Sequence, residues 1–317
     1  MFLLLQISLS IVVSAAQISQ SSSNYTVVDI KGNGDYFSIQ KAVDNAKSGS
    51  TIYVKNGEYS EIIKIKKSLT LIGEDKENTI ISSTSERNKY GVLLDASNIK
   101  ITGFSIYNKG PGIYTSAVRI TESGNEIDDC NLYDTPIGIT IWSSDNTISN
   151  SNFWGCTDEG IALIGSSHIK CENNKITNCI FYDNCDGIEL QYSSSNSITD
   201  CDFYDNTHTG IDAIASQNNK NIISNCEIYN NRVHGIYISS SRENQIIDCD
   251  VFDNYEDDIV FNKYSENNEI INSEPVKNQE TSTGGKSNIN SFFQSLLDRV
   301  SDIRSYQIYN ILKSFNF

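Results

Sequence analysis

The chain has 317 residues, with 24 Lys and Arg against 40 Asp and Glu and a net charge of −16. That balance repels phosphate backbones, which argues against nucleic acid as a partner. Three prolines, one methionine and a polar fraction rich in Asn and Ser suit a repetitive β architecture better than a disordered or membrane protein.

Residues 1–16 read as an export signal. Phe2 to Val13 is apolar apart from Gln6 and two serines, and Ser14-Ala15-Ala16 supplies small residues for cleavage. The alternatives are a retained anchor or a first strand, but about 12 residues are too few to span a bilayer. No later segment is apolar enough to span one either, so the expected location is secreted or at the cell surface. After a linker at 17–24, a β-helix is expected over residues 25–275. Ser38 to Ala46 has helical spacing at Ile39, Val43 and Ala46, which predicts a helix near 36–47 covering the first coil, where core and strand edges would otherwise be open.

Degenerate coils follow at Thr51 to Val54, Ile62 to Ile65, Leu69 to Ile72, Thr79 to Ile81 and Gly91 to Leu94, and from residue 98 the repeat is plain. Asn125-Glu-Ile-Asp-Asp-Cys130-Asn-Leu-Tyr133 recurs as Asn174 to Tyr182, Asn196 to Tyr204, Asn221 to Tyr229 and Asn244 to Phe252. From Phe104 to Ser273 seven intervals span 169 residues, about 24 each. Each unit carries one alternating run around the cysteine and a second of the form Gly-Ile-x-Ile or Leu, as in Gly187-Ile188-Glu189-Leu190. Alternation at period two means strands with one face buried. Stacking such units pairs every strand with its copy above and below. The expected fold is therefore all-β, a parallel solenoid of about 10 coils.

Columns of like residues follow from the stack. Asn125, Asn146, Asn174, Asn196, Asn221, Asn244 and Asn268 share one position, Tyr133, Trp154, Tyr182, Tyr204, Tyr229 and Phe252 another, and Cys130, Cys179, Cys201, Cys226 and Cys249 a third. Cysteines on adjacent coils keep Cβ atoms near the ~4.8 Å strand spacing, beyond the roughly 3.5–4.5 Å of a disulfide, so core thiols are expected. Cys156 and Cys185 lie outside that column on consecutive coils, and a bridge between them is left open.

After Pro275 the pattern stops. Residues 276–288 read as a linker, and 289–317 as an amphipathic helix carrying Ile289, Phe292, Phe293, Leu296, Leu297, Val300 and Ile303 on one face. It either folds back over the last coil or docks a partner or envelope surface; Asp298, Arg299, Asp302 and Arg304 exclude a transmembrane span.

Gly32 to Ala46, Thr51 to Tyr59 and Lys67 to Glu74 together resemble the opening of pectin methylesterases and the wider pectin-lyase-like superfamily, whose fold is a right-handed parallel β-helix. The coils from 98 to 273 resemble the periplasmic copper-binding β-helix family (NosD-like) and surface proteins with right-handed β-helix repeats. The esterase motifs resembling Gly-x-Val-Asp-Phe-Ile-Phe-Gly and Gly-Arg-x-Trp do not occur here, so the esterase activity does not carry over. Asn184-Cys-Asp186-Gly187, His208-Thr209-Gly210 and Val233-His234-Gly235 resemble the three catalytic coils of polygalacturonases. Asp186 and His234 match, but His208-Thr209 replaces the middle acidic pair and no Arg-x-Lys follows His234. Copper prefers His, Met and Cys. Histidines scattered at 168, 208 and 234 and cysteines that are mostly interior argue against such a site.

Two sets of residues depart from what the stack needs. Glu189 and Asp212 take the outward position of the Gly-Ile-x run on adjacent coils, about 5 Å apart, near the spacing of retaining glycosidases. With Asp186, His208 and His234 they form the candidate catalytic set, against the alternative of a solvated surface. The second set, Asp200, Asp202, Glu227, Asp248 and Asp250, makes an acidic stripe of hard oxygen ligands that suits Ca²⁺, against a merely solvated face. The expected function is a surface β-helix that binds carbohydrate or an envelope component without catalysis, along a groove lined by Tyr192, Tyr237, Glu189 and Asp212. The alternative is an enzyme acting on acidic glycans as a hydrolase, lyase or epimerase.

Overall fold

The computed structural model describes residues 25–215 and 217–273. The export signal, the linkers and the C-terminal helix expected from the sequence lie outside them.

The strands form three parallel sheets of eleven, nine and nine strands. Each coil contributes one strand to each sheet in turn. One coil, for example, places Glu126–Asp128 in the first sheet, Asn131–Tyr133 in the second and Ile137–Ile141 in the third. All three bends of a coil use left-handed backbone, as at Asp129, Asp134 and Asp145. The bend from first to second sheet is made by Asp129, Asn150, Asn178, Asp200, Asn225 and Asp248, with φ between 48° and 55°. Asn and Asp tolerate that conformation through their short polar side chains, which is why those residue types recur there.

Register locks each column. Ile148, Ile176, Ile198, Ile223 and Ile246 pair in succession on the first sheet, and Phe153, Phe181 and Phe203 on the second. The phenylalanine rings stack inside the core 4.7 Å apart and within 8° of parallel. Tyr133, Trp154, Tyr182, Tyr204, Tyr229 and Phe252 stack on the outer face of the same sheet, with centroids 4.6 to 5.8 Å apart.

The asparagine column is buried and continuous. The main-chain N–H and Nδ2 of Asn174 both donate to Asn196 Oδ1, at 2.9 and 3.0 Å, and Asn196 repeats this toward Asn221. A second column, absent from the sequence reading, runs through Asn184, Asn206, Asn231 and Asn254 at the turn into the third sheet. Each amide satisfies main-chain groups that the turn would otherwise leave unpaired in the core.

At the N-terminal end the helix Ile39–Asn45 buries Ile39, Ala42 and Val43. Ser38 caps it by accepting from Lys41 N, and Glu61 accepts from the first helical N–H groups of Ile39 and Gln40 at 2.9 and 3.0 Å. The column cysteines are buried thiols donating to carbonyls, as Cys179 does to Thr177 O at 3.3 Å. Cys156 is also a free buried thiol, so it is not bridged to Cys185, although Cys185 N donates to Cys156 O at 3.0 Å across the coils.

Candidate functional site

The Gly-Ile-x run of the third sheet sets the site. A Cβ on Gly187 would lie 2.6 Å from Cδ1 of the core residue Phe203, so Gly187 faces inward, and Ile188 beside it is fully buried. Two consecutive inward residues break the alternation as a bulge does. Asp186 and Glu189, three apart, therefore share the outer face. Glu159-Gly160-Ile161 repeats the arrangement one coil earlier, and Glu159 pairs in register with Asp186.

The result is a cluster. Carboxylate oxygens of Glu159, Asp186 and Glu189 all lie within 4.8 Å of one another, and so do ligand atoms of Asp186, His208 and Asp212. Asp186 belongs to both groups. Its Oδ1 accepts from Thr209 N at 2.8 Å and sits 2.6 Å from His208 Nδ1. His208 Nδ1 lies 3.9 Å from Asp212, and Gln191 Nε2 donates to Glu189.

The four acids are 0 to 4% exposed, while the His208 side chain is 21% exposed. The sequence places Glu189 and Asp212 on a wet groove; the structure buries both, so the solvated-surface reading does not hold. Their Cα positions pair as expected, but Asp186 stands between their roles, gathering Glu189 on one side and Asp212 on the other. At an effective dielectric of about 20, two unit charges 4.8 Å apart repel by about 3.5 kcal/mol. Carboxylates this close and this dry need a compensating positive charge or a proton.

His234 stays outside both groups. Its ring stacks on Tyr237 at 5.4 Å and its Nε2 lies 3.9 Å from Glu256, while burial pushes its pKa below the usual histidine value. The acidic stripe splits into two columns. Asp202, Glu227 and Asp250 stand in register on the outer face of the second sheet, and Asp200 and Asp248 form left-handed bends. Among the described residues, no three of the stripe bring ligand atoms within 4.8 Å of one another. A cleft of about 580 Å³ over Glu58, Tyr107 and Lys109 opens on the second sheet, away from the cluster.

Glu159 is the site residue that sequence reasoning missed. The signal was there, because it precedes Gly160 as Asp186 precedes Gly187.

Three stacked parallel sheets define a parallel β-helix, and the family described as a right handed beta helix region matches residues 69–211 and 168–275. The chain belongs to that family. The match carries the repeat and not the narrower copper-binding grouping that the later coils resemble. Among curated proteins, a cell surface glycoprotein of Methanothermus fervidus is 32% identical over 120 residues, 37% of this chain and 18% of that protein. A probable pectinesterase of Arabidopsis thaliana is 32% identical over 96 residues, 27% of this chain and 28% of that protein. The matched parts thus span less than a third of these relatives. Among solved structures, the pectate lyase Pel9A superposes with a TM-score of 0.55 at 12% identity, covering 82% of this chain and 81% of that one. The A-module of the mannuronan C-5 epimerase AlgE4 of Azotobacter vinelandii gives 0.53 at 16% identity, covering 83% and 97%. At these identities the likeness is one of fold.

Proposed function

We propose that the protein works outside the cytoplasm on a polysaccharide, with His208 as the group that exchanges a proton with the sugar. The observation that carries this is the 2.6 Å contact between His208 Nδ1 and the buried Asp186 Oδ1. With Asp186 Oδ1 as the acceptor, Nδ1 carries the hydrogen and Nε2 offers the lone pair of a general base. Asp186, fixed in turn by Thr209 N, orients the ring and stabilises the imidazolium formed on proton uptake. Asp212, 3.9 Å from the same nitrogen, reinforces that charge. His208 is the member of the group that reaches solvent and is thus the one a polymer can touch. Similarity to a cell surface glycoprotein and to a probable pectinesterase supports the location and the carbohydrate class.

Purified protein incubated with a panel of acidic polysaccharides should release unsaturated or reducing ends, or invert a sugar centre. His208→Ala should slow this by about 10²–10⁴-fold, the usual contribution of a general acid or base. Binding on a glycan array with no product from any polymer would refute the proton-transfer role. It would instead support the second reading, binding without catalysis, which the burial of all four acids favours.

A further inference from the structure

The cluster holds more acid than a proton relay uses. Asp186 and Asp212 suffice to orient and polarise His208, yet Glu159 and Glu189 also place carboxylate oxygens within 4.8 Å of each other and of Asp186. Neither glutamate serves the stack. The coil preceding them has Ile137 and Thr140 at the same two places, and its strand pairs equally well with its neighbours.

A second observation comes from Thr209. Gly187 N donates to Thr209 O at 3.1 Å, and the register of Ile188 with Ile211 puts Thr209 one coil beyond Asp186 in the column that starts with Glu159. Its side chain is fully buried, and its hydroxyl has no hydrogen-bond partner. A buried hydroxyl left unpaired is costly, and the main-chain N–H of the same residue donates at 2.8 Å to Asp186, the acid that both groups share.

We propose that Glu159, Asp186 and Glu189, with the Thr209 hydroxyl, bind a Ca²⁺ ion within the wall of the third sheet. Three carboxylates and a hydroxyl form an all-oxygen set, and carboxylates binding through both oxygens approach the six to eight ligands that Ca²⁺ takes. Nδ1 of His208 is engaged with Asp186 at 2.6 Å, so the nitrogen ligand that Zn²⁺ would favour stays out of the set. The ion neutralises the repulsion among the glutamates and clamps three successive coils. It also fixes Asp186, which orients His208. In this last respect the inference rests on the proposed role of His208; the binding itself does not.

The test is thermal unfolding of the full chain, stripped with EDTA, as calcium chloride is added with no polysaccharide present. At a hundredfold excess over Kd, Ca²⁺ should raise Tm by about 5–10 °C. The variant Glu159→Gln, Glu189→Gln should lose this rise, with at least a tenfold weaker Kd by calorimetry. In EDTA the variant should melt no lower than the wild type, because the substitution relieves repulsion, and this shows that the variant folds. Absence of a Ca²⁺ shift in the wild type overturns the proposal, as does a shift with Mn²⁺ or Zn²⁺ but not Ca²⁺. An equal shift in the variant moves the ion to another acidic surface and overturns it too. Loss of turnover in His208→Ala with the Ca²⁺ shift retained supports both readings. A Ca²⁺ shift in a protein that acts on no polymer leaves the ion site standing and sinks the proton-transfer role alone.

Discussion

Replacing Gly187 by Ala tests the link between backbone and site. The new methyl would sit 2.5 Å from Gly210 O and 2.6 Å from Phe203 Cδ1, where ordinary contact begins at 3.4 Å. Phe203 cannot yield, because its ring is stacked 4.7 Å from Phe181. Gly210 O is main chain and accepts from Ile188 N at 3.1 Å, so a shift of about 0.9 Å weakens that bond. Overpacking of this kind costs about 1–3 kcal/mol, and the strained hydrogen bond about 0.5–1.5 kcal/mol. The expected loss is about 2–4 kcal/mol, read as a fall in the urea midpoint. The same displacement turns Asp186 away from Glu189, so the Ca²⁺-dependent rise in Tm should shrink as well. A loss below about 0.5 kcal/mol with the Ca²⁺ response intact would show that the glycine does not set the outward pair.

Other consequences follow from the same geometry. Asn206→Ala removes four hydrogen bonds, from Asn184 N and Nδ2 and to Phe181 O and Asn231 Oδ1, and should cost about 2–6 kcal/mol in urea unfolding; a loss under about 1 kcal/mol would contradict a stabilising amide column. Burial pushes the Cys130 and Cys171 thiols up to about 12, so native protein should label at Cys185, the half-exposed cysteine, well before these two; mass spectrometry showing equal labelling would refute it. The Lys55 ammonium, 2.8 Å from Glu74, together with Asn56 N holds the Glu74 carboxyl below its ordinary 4.5. Its contribution is complete above that value and lost as pH falls through the lowered folded value, so Glu74→Gln should flatten the acid limb of Tm against pH. The effect is small because both side chains are about a third exposed, and parallel curves for the two proteins would exclude it.

The coils were legible because each feature repeats: the Ile-x-x-Cys spacing fixes two strands and the bend between them, and the Asn before it fixes a turn. The second asparagine column was equally periodic, two residues past each outer aromatic, as in Tyr182-Asp183-Asn184. It went unread because Asp and Asn alternate beside it and resemble ordinary turn residues. Asp186, Glu189, His208 and Asp212 were visible as departures from the column types. Their burial was not, since strict alternation assigns outward residues to water and says nothing of what covers them. Asp200 and Asp248 misled for the opposite reason: the left-handed bend selects Asp or Asn for its own conformation, which made a backbone requirement look like a ligand.

The amide columns also give the stack a direction. In both, every Asn from Asn174 to Asn244 and from Asn184 to Asn231 donates toward the following coil and accepts from the preceding one. Aligned amides polarise one another, so the two columns act as parallel chains of dipoles whose Oδ1 atoms all face the N-terminal end. A whole coil can be gained or lost in evolution without disturbing this sense, whereas a coil entering in the opposite sense would set donor against donor. Growth of such a protein is thus vectorial, and its length is free to vary while its polarity is not.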